Sequence, residues 1–166
     1  MSAARKMHPE AVLIETFLEL YPIVHYKLGM RYEDSLRCGQ LTRKQVAILQ
    51  LLRSEGGPQG RLQRKKIEQW LASWFEVSSA TITRSLYVLA NPPLNLVQIV
   101  QDANSGREKQ VMLTPKGKQF LSTMAAHGKK FLQPLLTQVP EEVIRNGLDF
   151  MQQSIAVMEE GRDRPK

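Results

Sequence analysis

Cysteine is all but missing. Cys38 stands alone among 166 residues, so no disulfide can brace the chain, and a reducing compartment, the cytoplasm, is the expected setting. The three histidines, His8, His25 and His127, lie far apart, and no metal-ligand spacing, phosphate-binding glycine loop or nucleophile motif accompanies them. The chain is therefore expected to hold no catalytic residues, metal or cofactor. Long apolar runs are also absent. Nothing approaches the roughly 20 uninterrupted residues of a bilayer crossing, and the N-terminus lacks a secretory signal, so no membrane association is expected. What remains is a composition of 42% hydrophobic and 23% charged residues, enough to bury the core of one domain of usual size.

Acidic residues are scarce in one region only. Arg43–Lys118 holds 12 lysines and arginines against 5 aspartates and glutamates, while the flanks hold 11 of each, so the middle carries the whole net charge of +7. A basic centre between neutral flanks suits a module that contacts phosphates, and double-stranded DNA is the expected partner.

Residues 10–30 carry more apolar groups than one stripe of a surface helix can use, among them Leu13, Phe17, Leu18, Tyr21 and Ile23. Such a helix needs cover on several sides, and a second copy of the chain is the expected cover. Pro22 is expected to bend or interrupt it. Thr42 and Gln45 have the spacing of a capping box ahead of Val46, Ile48, Leu49, Leu51 and Leu52, which predicts a buried helix. Gly56, Gly57, Pro58 and Gly60 then form a loop into the basic run of Arg61, Arg64, Lys65 and Lys66.

Ile67, Trp70, Leu71, Trp74 and Phe75 share one helical face. After a short turn, Ser78 is placed to cap the next helix, which packs through Ile82, Leu86 and Leu89 and turns Ala80, Thr81, Arg84, Tyr87 and Val88 the other way. Asn91-Pro92-Pro93 stops it. Two short runs, Leu96–Gln101 and Lys109–Leu113, flank a polar tip and predict a β-hairpin. Thr114-Pro115 opens a helix expected to kink or break at Gly128 and Pro134, and Pro140-Glu141-Glu142 opens the last, with proline in the first helical position.

The fold class that follows is mainly α with a small β-hairpin wing: a winged helix-turn-helix core flanked by N- and C-terminal dimerisation helices. The expected divisions are 1–40, 41–118 and 119–166. In such a module the second helix of the turn enters the major groove, where a hydroxyl or guanidinium reaches base edges, and a wing arginine reaches the neighbouring minor groove.

Four stretches carry a resemblance to the MarR (multiple-antibiotic-resistance regulator) family of bacterial transcription factors. Leu41-Thr42 through Gln45 resembles its Leu-Thr-x-x-Gln helix start, and Leu71-Ala72 through Val77-Ser78 resembles its helix-turn segment, with Phe75 at the second leucine. Ala80 through Leu86 is similar to the recognition helix, and Arg107 with Val111 through Gly117 resembles the wing arginine and the exit from the wing. Two departures stand out: Asn91-Pro92-Pro93-Leu94 replaces glycine and basic residues, and Ser105 replaces an acid of the wing. The resemblance implies that Ser79, Thr81, Thr83 and Arg84 face DNA, Arg84 foremost, with Arg107 in the minor groove and Lys109 near phosphates. It also implies a homodimer on a near-palindromic operator, acting as a repressor. Arg64, Lys65 and Lys66 join as candidate phosphate contacts. A small aromatic effector, where family members have one, would lie near Tyr21, His25, Tyr26 or Met30, though core packing is the simpler role for these four. Cys38 has no second cysteine to resolve it as an oxidant sensor. The rival expectations are a plasmid or phage replication or partition factor, and a winged-helix adaptor that binds protein.

Overall fold

The computed structural model describes residues 9–102 and 105–162, with the backbone alone at 9, 105–107 and 160–162. These residues fall into two compact units that meet in sequence between Gly128 and Lys129. The first contains α1 (Pro9–Val24), a wide π-helical turn (His25–Gly29), α2 (Met30–Leu36), α3 (Arg43–Ser54), β1 (Arg61–Gln63), α4 (Arg64–Trp74), α5 (Ser79–Ala90), β2 (Val97–Asp102), β3 (Ser105–Leu113) and most of α6 (Pro115–Leu136). The second contains the end of α6 and α7 (Glu141–Arg162).

Local signals set most of these boundaries. The Thr42 hydroxyl accepts from the Gln45 N–H, and the Gln45 side chain accepts from the Thr42 N–H at 2.8 Å, so two amides without helical partners are satisfied at the start of α3. Thr114 does the same for α6, its hydroxyl accepting from Gly117 N at 2.9 Å with Pro115 in the first helical position. At α7 the expectation is corrected by one residue. The Pro140 carbonyl accepts from Ile144 N and Glu141 is the first helical residue, so the proline caps the helix from outside.

The prolines and Gly128 interrupt less than expected. α1 runs through Pro22 to Val24, and the irregularity comes afterwards, in the wide turn where Met30 N donates to His25 O. A proline removes only its own N–H bond, and a neighbouring change of register absorbs the disturbance. α6 likewise continues through Gly128 and Pro134 to Leu136. Gly128 has a packing role: an added Cβ would stand 3.1 Å from Leu36 Cδ2 and 3.2 Å from Tyr32 Cε2. Pro134 lies close to the helix end, where few bonds remain to lose.

The sheet has three antiparallel strands in the order β1-β3-β2. β2 pairs with β3 from Val97↔Leu113 to Gln101↔Lys109, giving the expected hairpin with a longer second strand. β1 is not anticipated by the sequence, where the run from Arg61 reads only as basic. It pairs with β3 through Arg61↔Met112, Leu62↔Val111 and Gln63↔Gln110, and Leu62 goes into the core. Three residues are too few for alternation to show, so the strand owes its form to its partner. The core of the first unit joins Ile48, Leu49 and Leu52 of α3, Ile67 and Leu71 of α4, Leu86 and Leu89 of α5, Val97 and Val111 of the sheet, and Met124 of α6. No helix among the described residues is long and apolar enough to cross a membrane.

Candidate nucleic-acid interface

α4, a short turn and α5 form a helix-turn-helix. Ser78 has extended backbone and its hydroxyl accepts from Thr81 N, which starts α5 after the turn. Ile82, Leu86 and Leu89 are buried on the inner side. Helical periodicity then turns Ser79, Thr83, Arg84 and Tyr87 outward, all exposed, with Thr81 half-buried. Arg84 makes no hydrogen bond or ion pair with any described residue, so its five donors are available to an acceptor outside the chain. Thr81 shares a hydrogen bond with Ser78 at 3.1 Å.

The structure brings several of the other candidates together beside this helix. Arg64 and Lys65 from the start of α4, Ser79 from the start of α5, and Glu108 and Lys109 from β3 line one open cleft with Gln63 and Glu68. A smaller cleft of about 190 Å³ lies between α5 and the sheet, lined by Arg64, Thr83, Leu86, Tyr87, Asn91, Ile99 and Lys109. Lys66 is exposed but faces a different cleft, beside Arg61, Glu55, Asp102 and Gln110. The backbone of Arg107 belongs to β3, and its side chain lies outside the described residues.

The arrangement offers the start of α5, an outward arginine on that helix and a lysine-bearing wing beside it. Residues 41–117 match the family model of a winged helix DNA-binding domain. No curated protein matches the sequence. Among solved structures, the chain is similar to the transcriptional regulator Tm0710 from Thermotoga maritima, with 18% identity over 91% of this chain and 99% of that one and a TM-score of 0.63. It is also similar to AbsC, a MarR family transcriptional regulator from Streptomyces coelicolor, with 20% identity, coverage of 95% and 99%, and a TM-score of 0.59. A mutant of MepR from S. aureus bound to an oligodeoxyribonucleotide gives 18% identity, coverage of 86% and 97%, and a TM-score of 0.57. These likenesses show a shared fold, in which helices precede and follow the winged-helix segment.

The winged-helix domain is tied to the helices before it by charge. Asp34 of α2 accepts from Arg43 of α3 at 3.0 and 3.1 Å and from Arg37 at 3.3 Å, and Glu33 lies 3.4 Å from Arg43. The bond from Arg43, followed by that from Arg37, holds the Asp34 carboxyl below its ordinary value. Arg37 also donates to Leu41 O at 2.7 Å, closing the loop between the two helices. Within that loop Cys38 has a left-handed backbone, φ 50°, and burial pushes its thiol pKa up.

The candidates for an effector lie before the winged-helix domain. Tyr21, His25 and Tyr26 are exposed and Met30 is half-buried. Their rings form a run with Phe17: Phe17–Tyr21 at 5.2 Å, Tyr21–His25 at 6.4 Å and His25–Tyr26 at 5.0 Å between centroids. Sequence reasoning left out Tyr87 and Asn91 as site candidates. Tyr87 is 65% exposed on the outward face of α5, and both residues line the cleft against the wing. The signal for Tyr87 was present in its spacing, four residues after Thr83 and three after Arg84.

Proposed function

We propose that the chain is a sequence-specific, double-stranded-DNA-binding transcriptional regulator of the MarR type, acting in the cytoplasm as a homodimeric repressor on a near-palindromic operator. The observation that carries this reading is the winged-helix domain itself, with Arg84 presented outward on α5 above a buried apolar face. In this reading Ser79, Thr81, Thr83 and Arg84 meet the major groove, Lys65, Lys66 and Lys109 meet phosphates, and Arg107 meets the minor groove. Its role is binding rather than catalysis.

Residues 1–40 and 119–166 serve as the dimerisation regions around the domain at 41–118. Leu13, Phe17, Leu18 and Ile23 in α1 are each about half exposed or more, as are Val143, Leu148, Met151, Ile155 and Met158 in α7. Faces this apolar favour burial against a second copy. The ring run from Tyr21 to Tyr26, with Met30, is the candidate place for a small aromatic effector.

Selection from a random duplex pool at two salt concentrations tests the reading. Enrichment of an inverted repeat with half-sites about one helical turn apart is expected. Binding without enrichment, vanishing as salt rises, would leave only non-specific phosphate contact and contradict it.

A further inference from the structure

Arg64 opens α4 directly after β1, and its guanidinium joins two helices. Nε donates to Glu68 Oε1 at 2.8 Å, and Nη2 donates to Thr83 Oγ1 of α5 at 2.8 Å. The Thr83 hydroxyl donates onward to Ser79 O, also at 2.8 Å. An arginine only donates and a carbonyl only accepts, so the directions are fixed: the Thr83 proton is committed to Ser79 and one lone pair to Arg64. Arg64 and Glu68 side chains are 28% and 29% exposed, so this pair is better shielded than the open i,i+4 pair of Arg145 and Glu141, at 72% and 76%.

α5 is otherwise seated by the buried Ile82, Leu86 and Leu89 and, at its far end, by the Leu96 N–H donating to Leu89 O at 2.8 Å, and apolar packing is non-directional. It sets which face of the helix turns inward but leaves the fine rotation of the half that carries Thr83 and Arg84 to a directional bond. A charge-assisted hydrogen bond has a preferred line, and one running from a rigid neighbour supplies what packing does not. Arg64 is well placed for this because β1 fixes the chain just before it through pairing with β3.

We propose that Arg64 is a positioning residue: anchored by Glu68 and bonded to Thr83, it sets the rotation of α5 and so the aim of Arg84, the next residue along. The proposal rests on the reading of α5 as the DNA-recognition helix. It gives Arg64 a different part from the phosphate contact suggested by the basic run. The Glu68 carboxylate offsets the charge that would draw a phosphate, and two of the arginine's bonding directions are already used.

Two measurements on the full chain test it. In native-state hydrogen exchange of the free protein, Arg64→Ala and Glu68→Gln are expected to speed exchange of the α5 amides by about tenfold and to leave α3 unchanged. Unchanged α5 protection in Arg64→Ala would overturn the proposal. In DNA binding, the affinity ratio between the enriched duplex and a scrambled one is expected to fall about tenfold in both Arg64→Ala and Arg64→Lys, with the salt slope kept. Lysine is the deciding variant, because a phosphate accepts its charge but its ammonium does not reproduce a planar two-way fork. Wild-type discrimination in Arg64→Lys, with a salt slope lower by about one in Arg64→Ala, would mark a phosphate contact and overturn the proposal. If the wild-type protein prefers no duplex, the DNA-reading function fails, and the exchange measurement alone decides the role of Arg64.

Discussion

Gly117, in the first turn of α6, lies against the main chain of Leu96: a Cβ placed on it would stand 2.0 Å from the Leu96 carbonyl oxygen and 3.0 Å from its carbonyl carbon. The same carbonyl accepts from Thr114 N at 3.1 Å, and Leu96 N donates to Leu89 O at 2.8 Å. One short segment thus holds the end of α5, the entry to the wing and the start of α6. The obstacle is backbone rather than a flexible side-chain tip, so it cannot swing away. Gly117→Ala is expected to destabilise the protein by about 1–3 kcal/mol, the usual range for overpacking. Denaturant unfolding measures this, and a midpoint equal to wild type would contradict the tight joint.

Asp34 gives stability a pH dependence of known sign. Its carboxyl is held below the ordinary value, chiefly by Arg43, so the folded state binds its proton less readily than the unfolded state does. The stabilisation is present above the ordinary carboxylate value and is lost as pH falls through the lower, folded value. Unfolding midpoints are therefore expected to fall more steeply in wild type than in Asp34→Asn as the solution is acidified below about pH 4. Parallel curves would mean that the Arg43 and Arg37 bonds contribute nothing to folding.

Cys38 is expected to be a slow thiol. Burial raises its pKa, and the sulfur donates to Leu36 O at 3.5 Å, so little thiolate is present at neutral pH. Reaction with a disulfide reagent at neutral pH should be slower in the folded protein than in urea. Faster reaction in the folded state would reopen a role for this residue in sensing oxidants.

Features written within a few residues of one another were legible in the sequence. Thr42 and Gln45 announced the start of α3, Ser78 the start of α5, and Ile82, Leu86 and Leu89 its buried face, because caps and helical spacing are local. Features made by residues distant in sequence were not legible. β1 exists through Leu62 opposite Val111, Arg64 meets Thr83 across 19 positions, and Gly128 is small because Leu36 and Tyr32 press on it. The candidate site divides the same way. The outward face of α5 followed from periodicity, whereas the engagement of Arg64 by Glu68 and Thr83 required the fold.

The central claim is that the outward face of α5, led by Arg84, reads DNA sequence, and a titration tests it directly. Wild type and Arg84→Ala are compared on the enriched duplex and on a scrambled duplex of the same composition, at one fixed salt concentration. The account predicts that wild type binds the enriched duplex at least about 10³-fold more tightly. It predicts that Arg84→Ala loses about 1–3 kcal/mol on that duplex and much less on the scrambled one. Equal binding of both duplexes by the wild-type protein, or an equal loss on both in the variant, would contradict it.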